Sequence, residues 1–181
     1  MDTYICLLRG INVGGKNIIK METLKQCFVD MGFSGVKTYI QSGNVIFKTQ
    51  GIDKIELIKI IENQLLKNFS VEIKTAVLTI NELLETVKNA PENFGSQPEE
   101  FRYDVWFLLP STTADEIMST TRLREDVDFL YAGKNAMYSA RLTEKLGKSY
   151  LAKINQMPFY KSITVRNWNT ATKLLEMAHN E

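Results

Sequence analysis

Three short runs hold the residues whose types and spacing could do chemistry. The first, Arg9-Gly10-Ile11-Asn12-Val13-Gly14-Gly15-Lys16-Asn17, combines three glycines with two cations, and residues 3–21 carry Arg9, Lys16 and Lys20 with no acid. Glycines permit positive φ and let backbone N–H groups converge on an anion, while Arg and Lys add charge-assisted hydrogen bonds. Gly10, Gly15 and Lys16 even fall at the spacing of the phosphate-binding pattern GxxxxGK[ST]. Asn17, however, stands where that pattern needs the hydroxyl that holds Mg²⁺. The run has the parts of a phosphate cradle without the metal-holding one, and a purely structural turn is the competing account.

The second run is Gln41-Ser42-Gly43-Asn44, a polar cluster in which turn chemistry alone accounts for Ser42, Gly43 and Asn44. The third is Thr164-Val165-Arg166-Asn167-Trp168-Asn169-Thr170. It predicts a helix over 164–178 with Thr164 as N-cap and a buried stripe of Val165, Trp168, Ala171, Thr172 and Leu175. Arg166, Asn167 and Asn169 would then gather donors at a helix N-terminus, where the macrodipole favours anions. A capped helix with a core tryptophan explains the same residues without a ligand.

The inventory excludes more than it offers. The chain has one histidine, His179, and two cysteines, so neither a His-rich nor a four-cysteine zinc site can be built, and no metal site or cofactor is expected. Ser-His-Asp and Cys-His nucleophile arrangements fail for the same reason. No pair of carboxylates stands out from helix-surface acids, so no catalytic residue is assigned. Met1-Asp2-Thr3-Tyr4 lacks a basic leader region and no stretch approaches a membrane span, so a cytoplasmic protein with no membrane partner and two reduced, buried thiols, Cys6 and Cys27, is expected.

Lys+Arg of 22 against Asp+Glu of 21 hides a local imbalance. Residues 82–128 contain eleven acids and four bases, a net of −7, and residues 133–175 contain eight bases and one acid, a net of +7. The two segments either neutralise each other in the fold or leave a basic surface for a polyanion.

Hydrophobic periodicity gives the elements that must position these runs. Tyr4 to Leu8 and Val45 to Phe47 are continuously apolar, as central strands must be, whereas Val36 to Gln41 and Val71 to Lys74 alternate, as edge strands do. Met21, Leu24, Cys27, Phe28 and Met31 predict one helix, stopped by Gly32. Asp53 caps a second, with a stripe of Ile55, Ile58, Ile61, Leu65 and Phe69. The order β-α-β-β-α-β is that of the ferredoxin-like fold. In it the loop after the first strand and the hairpin after the second emerge at one end of the sheet, about two strand spacings apart, roughly 10 Å, a gap that a small ligand could bridge. A helix near 81–90 and a Pro/Glu/Gln-rich connector to 102 follow. A second set then runs Val105 to Leu109, a capped helix at 113–120, a hairpin turned at Gly133-Lys134-Asn135, and helices near 149–155 and 164–178. The expected division is 1–80, a helix and connector over 81–102, and 103–181. The fold class is α+β: two ferredoxin-like subdomains in tandem, antiparallel sheets with helices on one face, the second lacking its final strand.

The runs LLRGINVGGK, TYIQSGNVIF over 38–47 and TVRNWNTATKLLEMA over 164–178 resemble the bacterial family catalogued as domain of unknown function 1697. The resemblance implies an α+β fold of two ferredoxin-like subdomains and supplies no reaction. Its motifs fall on Arg9, Gly10, Asn12, Gly14 and Gly15, on Gln41, Ser42, Gly43 and Asn44, and on Arg166, Asn167 and Trp168. With Lys16, these make the candidate ligand-binding set: Arg9, Lys16 and Arg166 as anion contacts, Asn12, Gln41, Asn44 and Asn167 as orienting hydrogen-bond partners. The leading expectation is a binding module for a phosphate-bearing ligand, a nucleotide or nucleic acid. The alternatives are a metal-independent enzyme at the same loop and a self-associating interaction protein; the oligomeric state is not read from the sequence.

Overall fold

The computed structural model describes residues 1–180, which divide into two compact units: residues 1–83 with 174–180, and Leu84–Lys173. The first is built from β1 (Asp2–Leu8), α1 (Met21–Asp30), β2 (Ser34–Tyr39), β3 (Asn44–Thr49), α2 (Lys54–Phe69) and β4 (Thr75–Thr79), with α3 (Ile80–Lys88) following. The four strands form an antiparallel sheet in the order β2-β3-β1-β4. The two continuously apolar runs are thus the central strands, because only a strand flanked on both edges and covered on both faces can be apolar throughout.

Both helices form where capping and periodicity place them. Asp53 accepts from the N–H groups of Ile55 (2.8 Å) and Glu56 (3.4 Å) at the start of α2. Gly32, at φ +84°, stops α1, and Phe33 behind it is buried. The buried face of α2 is Leu57, Ile61 and Leu65; Ile55, expected in the stripe, is 62% exposed. Leu24, Cys27 and Phe28 of α1 meet those residues and Tyr4, Cys6, Leu8, Val45 and Phe47 of the sheet in one core. Cys6 and Cys27 are free, buried thiols. The opposite sheet face, with Ile5, Leu7, Ile46 and Leu78, is also buried.

The fourth strand is displaced from its expected position. It runs over Thr75–Thr79 rather than 71–74, and four of its five residues are buried. The reason lies in its partner: β1 ends at Leu8, opposite Thr75, and Arg9 N–H to Lys74 C=O (2.9 Å) is the last rung, so residues before Lys74 have no strand to pair with. Two N–H groups of this edge strand are satisfied by carboxylates: Thr75 N–H donates to Glu62 and Thr79 N–H to Glu82.

The second unit repeats the order with β5 (Phe101–Leu108), α4 (Ala114–Thr120), β6 (Asp128–Ala132), β7 (Ala136–Leu142) and β8 (Ile163–Asn167), followed by α5 (Trp168–His179), which ends in the first unit. Its antiparallel sheet has the order β6-β7-β5-β8. It does not lack its final strand: β8 occupies 163–167, where a helix was expected, and Thr164 is a strand residue, not an N-cap. Ile163, Thr164 and Val165 are β-branched, and they pair with Leu108, Phe107 and Trp106 along an edge of β5 that would otherwise be open. The helix therefore starts at Trp168, and its buried residues are Thr170, Ala171, Leu174 and Ala178. The helix expected near 149–155 is instead part of three 3₁₀ turns, Thr143–Lys148, Leu151–Gln156 and Pro158–Ser162. Gly147 and Pro158 interrupt this stretch, which has no sustained helical stripe.

On one sheet face, Trp106, Leu130, Met137 and Ile163 pack against Ile117 of α4 and against Leu151 and Phe159 from the 3₁₀ turns. On the other, Phe94 from the segment before β5 lies edge-on to Tyr103 (4.8 Å between ring centres), Tyr138 (5.6 Å) and Trp168 (5.1 Å). The oppositely charged segments meet within this unit: Asp104 pairs with Arg141 (2.5 Å), and burial still holds its carboxyl above the usual carboxylate range, with Arg141 pulling the other way. Among the described residues, no helix is long and apolar enough to cross a membrane.

Candidate functional site

The glycine run is a small hairpin rather than an open cradle. Lys16 N–H donates to Val13 C=O (3.1 Å) across Gly14 (φ +58°) and Gly15 (φ +74°), and Asn12 N–H donates to Asn17 C=O (3.1 Å). Positive φ at both central positions is the type I′ turn, which two adjacent glycines adopt without a Cβ penalty. The N–H groups of Asn12 and Lys16 are thereby used inside the loop.

Two asparagines clip this finger to its base. The Asn12 side chain accepts from Ile19 N–H (2.8 Å) and donates to Ile19 C=O (3.0 Å) and to Gln41 C=O (2.8 Å). Asn17 donates from its side chain to Gly10 C=O (3.0 Å). Both take positive φ, +54° and +49°, a conformation asparagine tolerates better than most residues. Ile11 and Ile19 anchor the finger in the core, while residues 13–18 are exposed. Arg9 is half-buried at its root, and Gly10, Gly14, Gly15, Lys16 and Lys20 lie at the surface.

The structure brings the first two motifs into direct contact. Leu8 N–H donates to Gly43 C=O (2.8 Å), and the Asn12 side chain reaches Gln41. The gap expected between glycine loop and hairpin is therefore bridged by the protein itself. Gly43, at φ +76°, is required by the close approach: a Cβ there would stand 2.6 Å from Ile11 Cδ1 and 2.9 Å from Leu8 Cβ. Asn44 is fully buried, and its side chain donates to Tyr39 C=O (2.9 Å) and Ser42 Oγ (3.0 Å), holding the turn. Only the Gln41 side chain of this run is fully at the surface.

The third motif is divided between a strand and a helix. Arg166 lies in β8, not at a helix start; it is 6% exposed, and its guanidinium donates to Thr164 Oγ1 (2.9 Å) and Val165 C=O (2.8 Å). Asn167 caps α5 by accepting from Asn169 N–H (3.0 Å) and donates to Tyr103 C=O (3.1 Å). Trp168 stands over Gly95, where an added Cβ would come within 2.3 Å of the indole. Asn167, Trp168 and Asn169 line a cleft of about 290 Å³ whose other walls are Gly95, Pro98, Phe101, Arg102, Tyr103, Thr143 and Leu146. Sequence reading missed the clip formed by Asn17 and most of this cleft. The cleft draws on three separated segments, so no linear spacing marks it. No group of three His, Cys, Asp or Glu side chains among the described residues is arranged to hold a metal ion.

The chain is similar to known proteins in sequence and in fold. The family described as "Protein of unknown function (DUF1697)" matches residues 1–138. A solved structure described as that of conserved bacterial protein SP0830 from Streptococcus pneumoniae is 28% identical, with a TM-score of 0.85 over 98% of each chain. No curated protein matches the sequence.

Proposed function

Because the chain belongs to the DUF1697 family, whose description assigns no function, we propose from its geometry that it is a binding module for a phosphate-bearing ligand, a nucleotide or a nucleic acid, in the bacterial cytoplasm. In this reading each unit is a ferredoxin-like subdomain; the strand orders β2-β3-β1-β4 and β6-β7-β5-β8 support that assignment. The observation that carries the function is the finger. It presents Lys16 and Lys20 at the surface with Arg9 at its root, no acid lies in residues 3–21, and Asn12 and Asn17 fix its shape in advance. A preorganised basic tip loses little conformational entropy on binding an anion, which favours it over a free loop of the same composition. Separately, within the second unit, the segment 133–175 carries a net charge of +7, of which Arg141 is paired with Asp104 and Arg166 is buried.

Fluorescence anisotropy with labelled single-stranded oligonucleotides, and calorimetry with mononucleotides, test this at salt between about 50 and about 200 mM. Oligonucleotide affinity should fall steeply with salt. In Lys16→Ala and Lys20→Ala, both at exposed positions, each lost phosphate contact should lower the log–log salt slope by about 1. Absence of binding to both ligand classes at the lower salt overturns the proposal.

A further inference from the structure

We infer that the cleft beside Trp168 is a binding site for a small organic anion with a flat apolar body, a phosphate monoester or a carboxylate. The inference uses residues of the second unit alone and goes beyond the finger. The cleft is rich in donors. Trp168, Arg102, Thr143 and Asn169 line it, the last three exposed, and each carries a side-chain donor that makes no hydrogen bond to another described residue. The neighbouring Asn167 is already engaged with Tyr103 and Asn169.

The charge in the cleft has one sign. Arg102 is exposed and is the one ionised side chain in the lining; no carboxylate lines it. Asp104, on which the Arg102 charge acts, directs its carboxylate to Arg141. Glu99 and Glu100 lead into β5 but lie outside the lining. A lone cation among three neutral side-chain donors suits an anion, since charge-assisted hydrogen bonds are the strong ones. The rest of the wall is apolar or aromatic, from Phe101, Tyr103, Leu146, Pro98 and the Trp168 ring. The indole is held in place, edge-on to Phe94 and against Gly95, so a planar ligand meets a fixed ring. At about 290 Å³ the space is at the small end of ligand pockets, which fits one small molecule and not a polymer segment.

The chain has two tryptophans, and Trp106 is 2% exposed in the core, so the two indole N–H signals of an ¹⁵N-labelled sample report separately on cleft and core. Titration with adenosine 5′-monophosphate tests the phosphate arm and with benzoate the carboxylate arm; inorganic phosphate, which lacks the flat body, serves as reference. A saturable shift of the Trp168 signal is expected in at least one arm, tighter than with inorganic phosphate, with Trp106 unmoved. Arg102→Ala and Arg102→Gln, at an exposed position, should weaken it at least tenfold, the factor expected for a lost charge-assisted hydrogen bond. No saturable shift in either arm, or a titration unchanged in both variants, overturns the inference. Lys16→Ala and Lys20→Ala read the finger, whereas the Trp168 indole signal and the Arg102 variants read the cleft: nucleotide binding that only the Arg102 variants weaken belongs to the cleft, and binding that only the lysine variants weaken belongs to the finger, so the two readings fail separately.

Discussion

Replacing Asn12 by alanine is the sharpest test of how the glycine finger is held. The substitution removes three hydrogen bonds, two to Ile19 and one to Gln41. Ile19 is 4% exposed, so its backbone groups regain little from water. At about 1 kcal/mol net each, these bonds amount to about 3 kcal/mol. Alanine at φ +54° adds about 1 kcal/mol of backbone strain, which Asn12→Gly avoids. Urea denaturation followed by circular dichroism should therefore show Asn12→Ala destabilised by about 3–4 kcal/mol, and Asn12→Gly by about 1 kcal/mol less, at unchanged m-value. Because the Ile19 N–H loses its Asn12 Oδ1 acceptor, amide exchange of Ile19 should accelerate in both variants. A loss below about 0.5 kcal/mol, typical of a surface substitution, would refute the clip as a stabilising device.

Two further outcomes follow from the packing. Gly43→Ala should destabilise by at least about 2 kcal/mol in the same denaturation assay, because it combines positive φ with a Cβ against Leu8 and Ile11. Tyr138→Phe tests a buried hydroxyl that donates to Thr86 C=O (2.6 Å) and whose pKa burial pushes up to about 12. A phenol with a folded value above its unfolded one, about 10, stabilises fully below that pH and loses the contribution as pH rises toward the folded value. The wild type should thus lose about 2–3 kcal/mol relative to Tyr138→Phe between about pH 10 and about pH 12, read from urea midpoints. An equal pH dependence in the two proteins would show that the hydroxyl is not held in its neutral form.

Much of the first unit was legible because its signals are local. Asp53 and Gly32 mark helix ends by chemistry confined to one turn, and the unbroken apolar runs of β1 and β3 announce central strands. The same logic failed where a segment's partner is remote. Residues 164–178 fit a helical stripe on paper, but the β-branched start was captured by the open edge of β5, some sixty residues earlier in the chain, and the helix begins only at Trp168. The limits of β4 were likewise set by where β1 ends.

The candidate site divides along the same line. By itself the sequence determined that residues 9–17 form a glycine turn with basic, acid-free surroundings, because conformational freedom and charge belong to the residues themselves. Only the tertiary structure decided that Asn12 and Asn44 are spent on backbone groups, that Arg166 is buried in a strand, and that Arg102 joins Trp168 in a cleft. Which donors are satisfied internally and which stay open to solvent depends on acceptors distant in the chain, and those are assigned only when the strands pair.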